Sequence, residues 1–183
     1  MTIKAMLFQG LRVLLVTTGS LLMVASAHAQ EKQKYFFKVP PGLAQYTQRH
    51  VLDVGDVPGH QVALGEMHYG KYTNEASVYD GVKVVEGWDR LQSDLVNGTG
   101  RVWSYRVYLL ENADKIFART EGVVQTTVAP DGAKKILATS VITLTGGTGK
   151  FKGIRGTLKA TSSTDLKTGL GDVVQEGEYW IEN

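Results

Sequence analysis

With no cysteine in 183 residues, and 20 basic against 18 acidic side chains, this chain has no disulfide framework and no large charge excess. Two of the bases, Lys4 and Arg12, fall in the first 29 residues, so the remainder carries 18 bases against 18 acids and a net charge near zero. That balance, with no basic run in it, argues against nucleic acid or an anionic membrane as partners.

The first 29 residues read as a secretory signal peptide. Lys4 and Arg12 supply its positive charge, residues 13–24 an apolar run, and Ala27-His28-Ala29 a small-x-small cleavage site before Gln30. The run is short for a membrane span, and an uncleaved anchor is the alternative. Secretion or a periplasmic location follows. A cleaved product of residues 30–183 suits one domain, held by its core alone.

Residues 30–45 read as an N-terminal extension. Within it Tyr35-Phe36-Phe37-Lys38-Val39 could be a short edge strand or a plug, ended by Pro40-Pro41-Gly42. Strands are expected at 46–54 and 61–69, with Gly55 to Gly59 as the turn between them. The longest polar connection, 70–81, carries Tyr72 and Tyr79. Further strands are expected at 82–96, 100–111, 115–129, 135–145, 153–165 and 173–182. Asn97-Gly98 and Pro130-Asp131-Gly132 supply turn chemistry between them. Nothing after the leader shows a helical apolar stripe. Seven or eight short strands joined by tight turns predict an all-β antiparallel fold, and closure into a barrel would remove its exposed edges.

The densest signal lies at 145–156, where five glycines fall within twelve residues between two β-type runs. A phosphate-binding loop needs G-x-x-x-x-G-K-S/T, but Lys150 is followed by Phe151, and Leu144 stands where the first glycine is required. No helix pattern follows, so a hairpin is the better reading. Residues 144–157, LTGGTGKFKGIRGT, resemble the Gly-Gly-Ser/Thr-Gly-x-Phe/Tyr-x-Gly-x-x-Gly hairpin of the allene oxide cyclase and dirigent barrel superfamily, and GEYWI at 177–181 looks like that family's closing strand. The resemblance covers 46–183. It implies a single antiparallel eight-stranded β-barrel with a lumen, often oligomeric, and says little about chemistry. No catalytic side chain of the family can be placed on this sequence.

Glu-Gly recurs mid-strand at Glu86-Gly87, Glu121-Gly122 and Glu176-Gly177, and strand alternation sets each glycine opposite its glutamate. One face groups acids, an arginine and large aromatics; the other is small. If the glutamate face points inward, Trp88, Phe117 and Trp180 wall a lumen, with Glu86 and Arg119 as polar anchors and Glu121 and Glu176 as candidate catalytic acids. If it points outward, these residues pair in solvent or meet another subunit. His50, His60 and His68 fall on or near the first two strands, too sparse to predict a metal site. Residues 53–60 read as an Asx-stabilised turn rather than a gate, and Asn97-Gly98-Thr99 as a turn rather than a glycosylation acceptor.

The sequence therefore points to an exported barrel that binds a small hydrophobic or aromatic ligand without a cofactor. A cofactor-free cyclase or isomerase and a side-chain-filled structural protein are the alternatives. A homo-dimer or trimer is the expected assembly, formed through an open edge or an aromatic outer face.

Overall fold

A computed structural model describes residues 31–39, 41–70, 77–168 and 171–182. The signal peptide at 1–29, and Tyr72 in the long connection, lie outside the described residues. The described chain is all-β and antiparallel. Its strands are β1 (Gln33–Val39), β2 (Ala44–Asp53), β3 (His60–Tyr69), β4 (Val78–Tyr79), β5 (Val82–Val96), β6 (Thr99–Leu110), β7 (Lys115–Val128), β8 (Lys134–Gly147), β9 (Ile154–Asp165) and β10 (Gly171–Ile181). They form one sheet in the order β1-β10-β9-β8-β7-β6-β5-β3-β2, with β4 paired to β5.

Eight of these strands, β2, β3 and β5 to β10, match the eight expected from sequence. The turns between them use the expected chemistry. Asn97 and Gly98 have φ of 51° and 74°, the paired positive values of a type I′ hairpin. At the Pro130 turn, Asp131 Oδ1 accepts the Ala133 N–H at 3.0 Å.

Two features differ from an eight-stranded closed barrel. The sheet has ten strands, and its backbone ladder does not close. The reason is β1, which pairs along β10 from Gln33↔Tyr179 to Val39↔Val173 and so occupies the edge that closure would give to β2. The edge strands β1 and β2 are consecutive in sequence, joined only by residues 40–43. That link spans at most roughly 18 Å at full extension, which keeps the two edges near each other at this end.

Side chains draw the sheet together at the other end. Tyr35 of β1 donates to Ser77 Oγ at 2.8 Å, just before β4. The Tyr179 hydroxyl of β10 accepts the Asp80 N–H at 2.7 Å and donates to Gln33 Oε1 at 2.6 Å. Lys150 Nζ lies 2.8 Å from the Asp80 carboxylate. The β4–β5 turn thus ties β1, β10 and the Gly-rich hairpin into one seam. It turns on Asp80 and Gly81, both at positive φ (44° and 79°). Tyr79, fully buried, stacks on Tyr35 at 4.8 Å and meets Tyr179 edge-on at 5.2 Å.

The hairpin at 145–156 is confirmed, and its β8–β9 connection contains a single 3-10 turn, Gly149–Phe151. That turn drives Phe151 into the interior, where it is fully buried. Gly149 is required twice over: its φ is 50°, and a Cβ there would collide with the Asp114 carboxylate. With Ile142, Leu144, Ile154 and Leu158 from the flanking strands, Phe151 completes a sealed apolar core.

Candidate functional site

The interior does not stay packed along its whole length. On the inward positions of β8 and β9 the residues nearest the Gly-rich hairpin are Ile142, Leu144, Ile154 and Leu158; farther along they become Ala138, Ser140, Ala160 and Ser162. Side-chain volume falls, backbone spacing does not, and a cavity of about 260 Å³ opens where the small residues stand. Val39 of β1, Ala44 of β2, Met67 of β3, Arg106 of β6, Ser140 of β8 and Gln175 of β10 all border it, so it lies inside the curl of the sheet and beside both edges.

At the border between core and cavity sits a buried ion pair. Asp89 of β5 and Arg106 of β6 are register partners on the inward face. They are 4% and 7% exposed. Arg106 Nε donates to Asp89 Oδ1 at 2.6 Å, and Nη2 donates to Oδ2. Tyr69 of β3 donates to Asp89 Oδ2 and accepts from Arg106 Nη2, each at 2.9 Å. Tyr108 accepts from Nη1 at 3.1 Å. The guanidinium also lies over the Tyr69 ring, 4.9 Å from its centroid.

Burial alone would lower the Arg106 pKa, but the Asp89 carboxylate beside it prevails and holds it well above its ordinary value. Burial pushes the Tyr69 hydroxyl well above its usual range, with Arg106 opposing. Tyr69 therefore stays a neutral donor. Four of the five Arg106 N–H groups are committed within this network, and a second Nη1 hydrogen remains on the residue that borders the cavity.

Gln175 is the other buried polar residue at the cavity wall. It is 4% exposed and stands opposite Ala160 on β9 and Phe37 on β1. Its side-chain amide makes no hydrogen bond to the described residues, yet it is not sealed in: the enclosed unpaired side-chain atoms among those residues are His68 Nε2, Tyr79 Oη and Thr120 Oγ1.

The residues singled out from the Glu-Gly pattern lie on the other side of the sheet. In β7 Ile116, Ala118 and Thr120 are buried and Gly122 half-buried, while Phe117, Arg119 and Glu121 between them are exposed. In β10 Gln175 and Tyr179 are buried, with Glu176 exposed and Trp180 on its face; in β5 Gly87 and Asp89 are buried, setting Glu86 and Trp88 outward. None of Glu86, Trp88, Phe117, Arg119, Glu121, Glu176 and Trp180 reaches the cavity, which corrects the inward alternative. The reason is curvature. A strand coiled into a tight roll crowds its concave face, so glycine goes inside and bulk goes out. A Cβ on Gly122 would meet the Thr139 carbonyl at 2.5 Å, and one on Gly177 would collide with that of Thr157.

Outside, the singled-out residues fall into separate groups: Arg119 and Glu121 line one depression with Trp103 and Tyr105, while Glu86 lies 4.0 Å from His68, which also stacks on Trp88. Arg119 lies over Tyr105 at 5.6 Å, Trp88 stacks on His68 at 5.2 Å, and Glu121 is registered against Trp103. Glu176 faces Lys159 across the β9–β10 ladder, and Trp180 Nε1 donates to Glu182 at 3.4 Å. Among the described residues no three His, Cys, Asp or Glu side chains group to hold a metal. His60 is held between Asp56 at 2.6 Å and Asp94 at 2.8 Å, and Asp56 accepts the Val57 N–H at 2.7 Å, one residue on rather than the two of an Asx turn.

Sequence reasoning missed Asp89, Arg106, Tyr69 and Gln175. A signal was present: Asp89 shares the face of Gly87, and Gln175 that of Gly177, so once the glycines point inward these polar residues do too. Compared with family models, curated proteins and solved structures, the chain matches none of them.

Proposed function

We propose that this protein is an exported binder of a small, largely apolar or aromatic molecule, which it holds in the interior cavity. One observation carries the reading: eight long strands are curled around space that the inward residues of β8 and β9 leave unfilled, with buried polar groups at its inner end. A pocket of apolar walls and a few fixed polar groups is the usual form of a small-molecule site. At about 260 Å³ it is smaller than the roughly 300–1,000 Å³ of drug-sized sites, yet larger than the roughly 150 Å³ apolar cavity known to hold benzene in another protein.

The reading of the wall as an allene oxide cyclase or dirigent-type barrel belongs to the same proposal. Its support is the Gly-rich hairpin and the count of eight long strands, with β1 and β4 as additions. Secretion or a periplasmic location rests on the leader sequence alone. A catalytic role through Glu121 or Glu176 loses its geometric basis, because both acids face away from the cavity. A wholly filled structural barrel describes only the half of the interior nearest the hairpin.

The test is thermal denaturation of residues 30–183 with millimolar toluene, phenol and indole. The wild type gains several degrees in Tm with at least one of them. Ala160→Phe, which puts a ring into the cavity, gains nothing. Equal responses from both proteins, or none from either, would remove the cavity as a ligand site.

A further inference from the structure

The polar end of the cavity carries more information than its volume. Among the residues bordering it, Arg106 alone is charged, and Asp89 already takes two of its hydrogen bonds. The cation is therefore cancelled before any ligand arrives. A carboxylate entering would bring a second negative charge close to Asp89, whose cation is already taken.

What the cavity does offer is neutral. Gln175 presents an amide, both donor and acceptor, that makes no hydrogen bond to the described residues and is open to the cavity rather than sealed in. Arg106 borders the same space with an N–H left over from its pair. Ser140 and Ser162 add hydroxyls to the wall. The tyrosines around the ion pair are by contrast matched to named partners.

We infer that the cavity takes a neutral carbonyl compound, an amide above all, whose C=O and N–H meet the Gln175 amide and the spare Arg106 donor, and that it rejects carboxylates. This rests on the cavity being a ligand site, as proposed above. An amide matches Gln175 by reciprocal donor–acceptor pairing; a hydrocarbon of the same shape leaves Gln175 unpaired.

The experiment is titration of residues 30–183 near neutral pH with benzamide, sodium benzoate and toluene, followed by saturation-transfer NMR, on the wild type and on Gln175→Leu. Benzamide binds the wild type about tenfold tighter than toluene, the scale of one good hydrogen bond, and benzoate binds more weakly than either. Gln175→Leu, similar in volume, brings benzamide down to the toluene level and leaves toluene within about twofold. Benzoate binding as tightly as benzamide, or a benzamide preference that survives Gln175→Leu, overturns the inference; toluene binding in the same experiment keeps the ligand site standing. If none of the three binds the wild type, both readings fall together. Should Gln175→Leu not fold, the wild-type ranking decides alone.

Discussion

The two halves of this protein's interior are built by the same strands and behave oppositely. Near the Gly-rich hairpin, β8 and β9 turn Ile142, Leu144, Ile154 and Leu158 inward, and Phe151 with Tyr79 plugs the end. A few residues along the same strands, Ala138, Ser140, Ala160 and Ser162 leave a cavity. Backbone architecture does not distinguish the halves; side-chain volume at alternate positions does. A barrel-like wall can therefore be a core at one end and a container at the other, with the Asp89–Arg106 pair marking the border.

The border itself is the most sensitive place to break that arrangement. Asp89→Ala leaves Arg106 buried and unpaired, and is expected to cost about 3–5 kcal/mol in chemical denaturation. Replacing the pair by Asp89→Leu with Arg106→Met should cost less, since no charge is left unpaired and only the Tyr69 and Tyr108 hydroxyls lose neutral partners. A double variant as unstable as the single one would show that the pair is more than a mutual neutralisation.

Leu158 and Ala160 sharpen the comparison, because they are consecutive inward residues of β9. Leu158→Ala opens a hole in the sealed half and should cost about 2–5 kcal/mol. Ala160→Val adds bulk where there is already space, and should change stability by less than about 1 kcal/mol in either direction. Similar costs at the two sites would mean that the interior is uniformly packed.

The outer face provides the control. Glu121→Gln and Glu176→Gln should each alter stability by no more than about 0.5 kcal/mol, and should leave toluene affinity unchanged. A lost ligand response in either variant would place the site on the outside after all. The tryptophans Trp88, Trp103 and Trp180 share this face, so cavity ligands are expected to leave their fluorescence nearly unchanged.

The smallest effect belongs to His60, remote from both halves. Hydrogen bonds to Asp94 and Asp56 raise its pKa above 6.5. The folded state thus favours the protonated ring: its contribution is full below about pH 6.5 and fades as the pH rises through the raised value. Asp56, whose pKa the His60 bond lowers from 3.8, acts in the opposite sense, contributing above that value and losing its share as the pH falls through the lowered one. His60→Ala should flatten the stability–pH curve above about pH 6.5; an unchanged curve would show that these surface bonds do not persist in water.

Much of the wall was legible in the chain. Alternating apolar residues punctuated by Asn97-Gly98, Pro130-Asp131-Gly132 and the 145–156 glycines located all eight long strands, each boundary within about two residues. β4 escaped because two residues carry no periodicity, although Asp80-Gly81 is a hairpin dipeptide of the kind recognised at Asn97-Gly98. The site was less legible, for a different reason. Alternation sorts a strand into two faces but does not say which is concave; that is decided by how tightly the whole sheet rolls. Trp88, Phe117 and Glu121 looked like a lumen because apolar and acidic groups met there. Yet a crowded concave face selects Gly122 and Gly177, and the polar groups that matter, Asp89, Arg106 and Gln175, ride on the glycine side.

Where a small apolar probe settles tests the account most directly. Toluene titrated into isotope-labelled residues 30–183 should shift the backbone and methyl NMR signals of Ala138, Ala160, Val173 and Gln175 saturably, and leave Phe151, Ile154 and Leu144 in the sealed half almost unmoved. Shifts spread evenly through the interior, or gathered on the outer face around Trp103, would contradict a wall that is core at one end and container at the other.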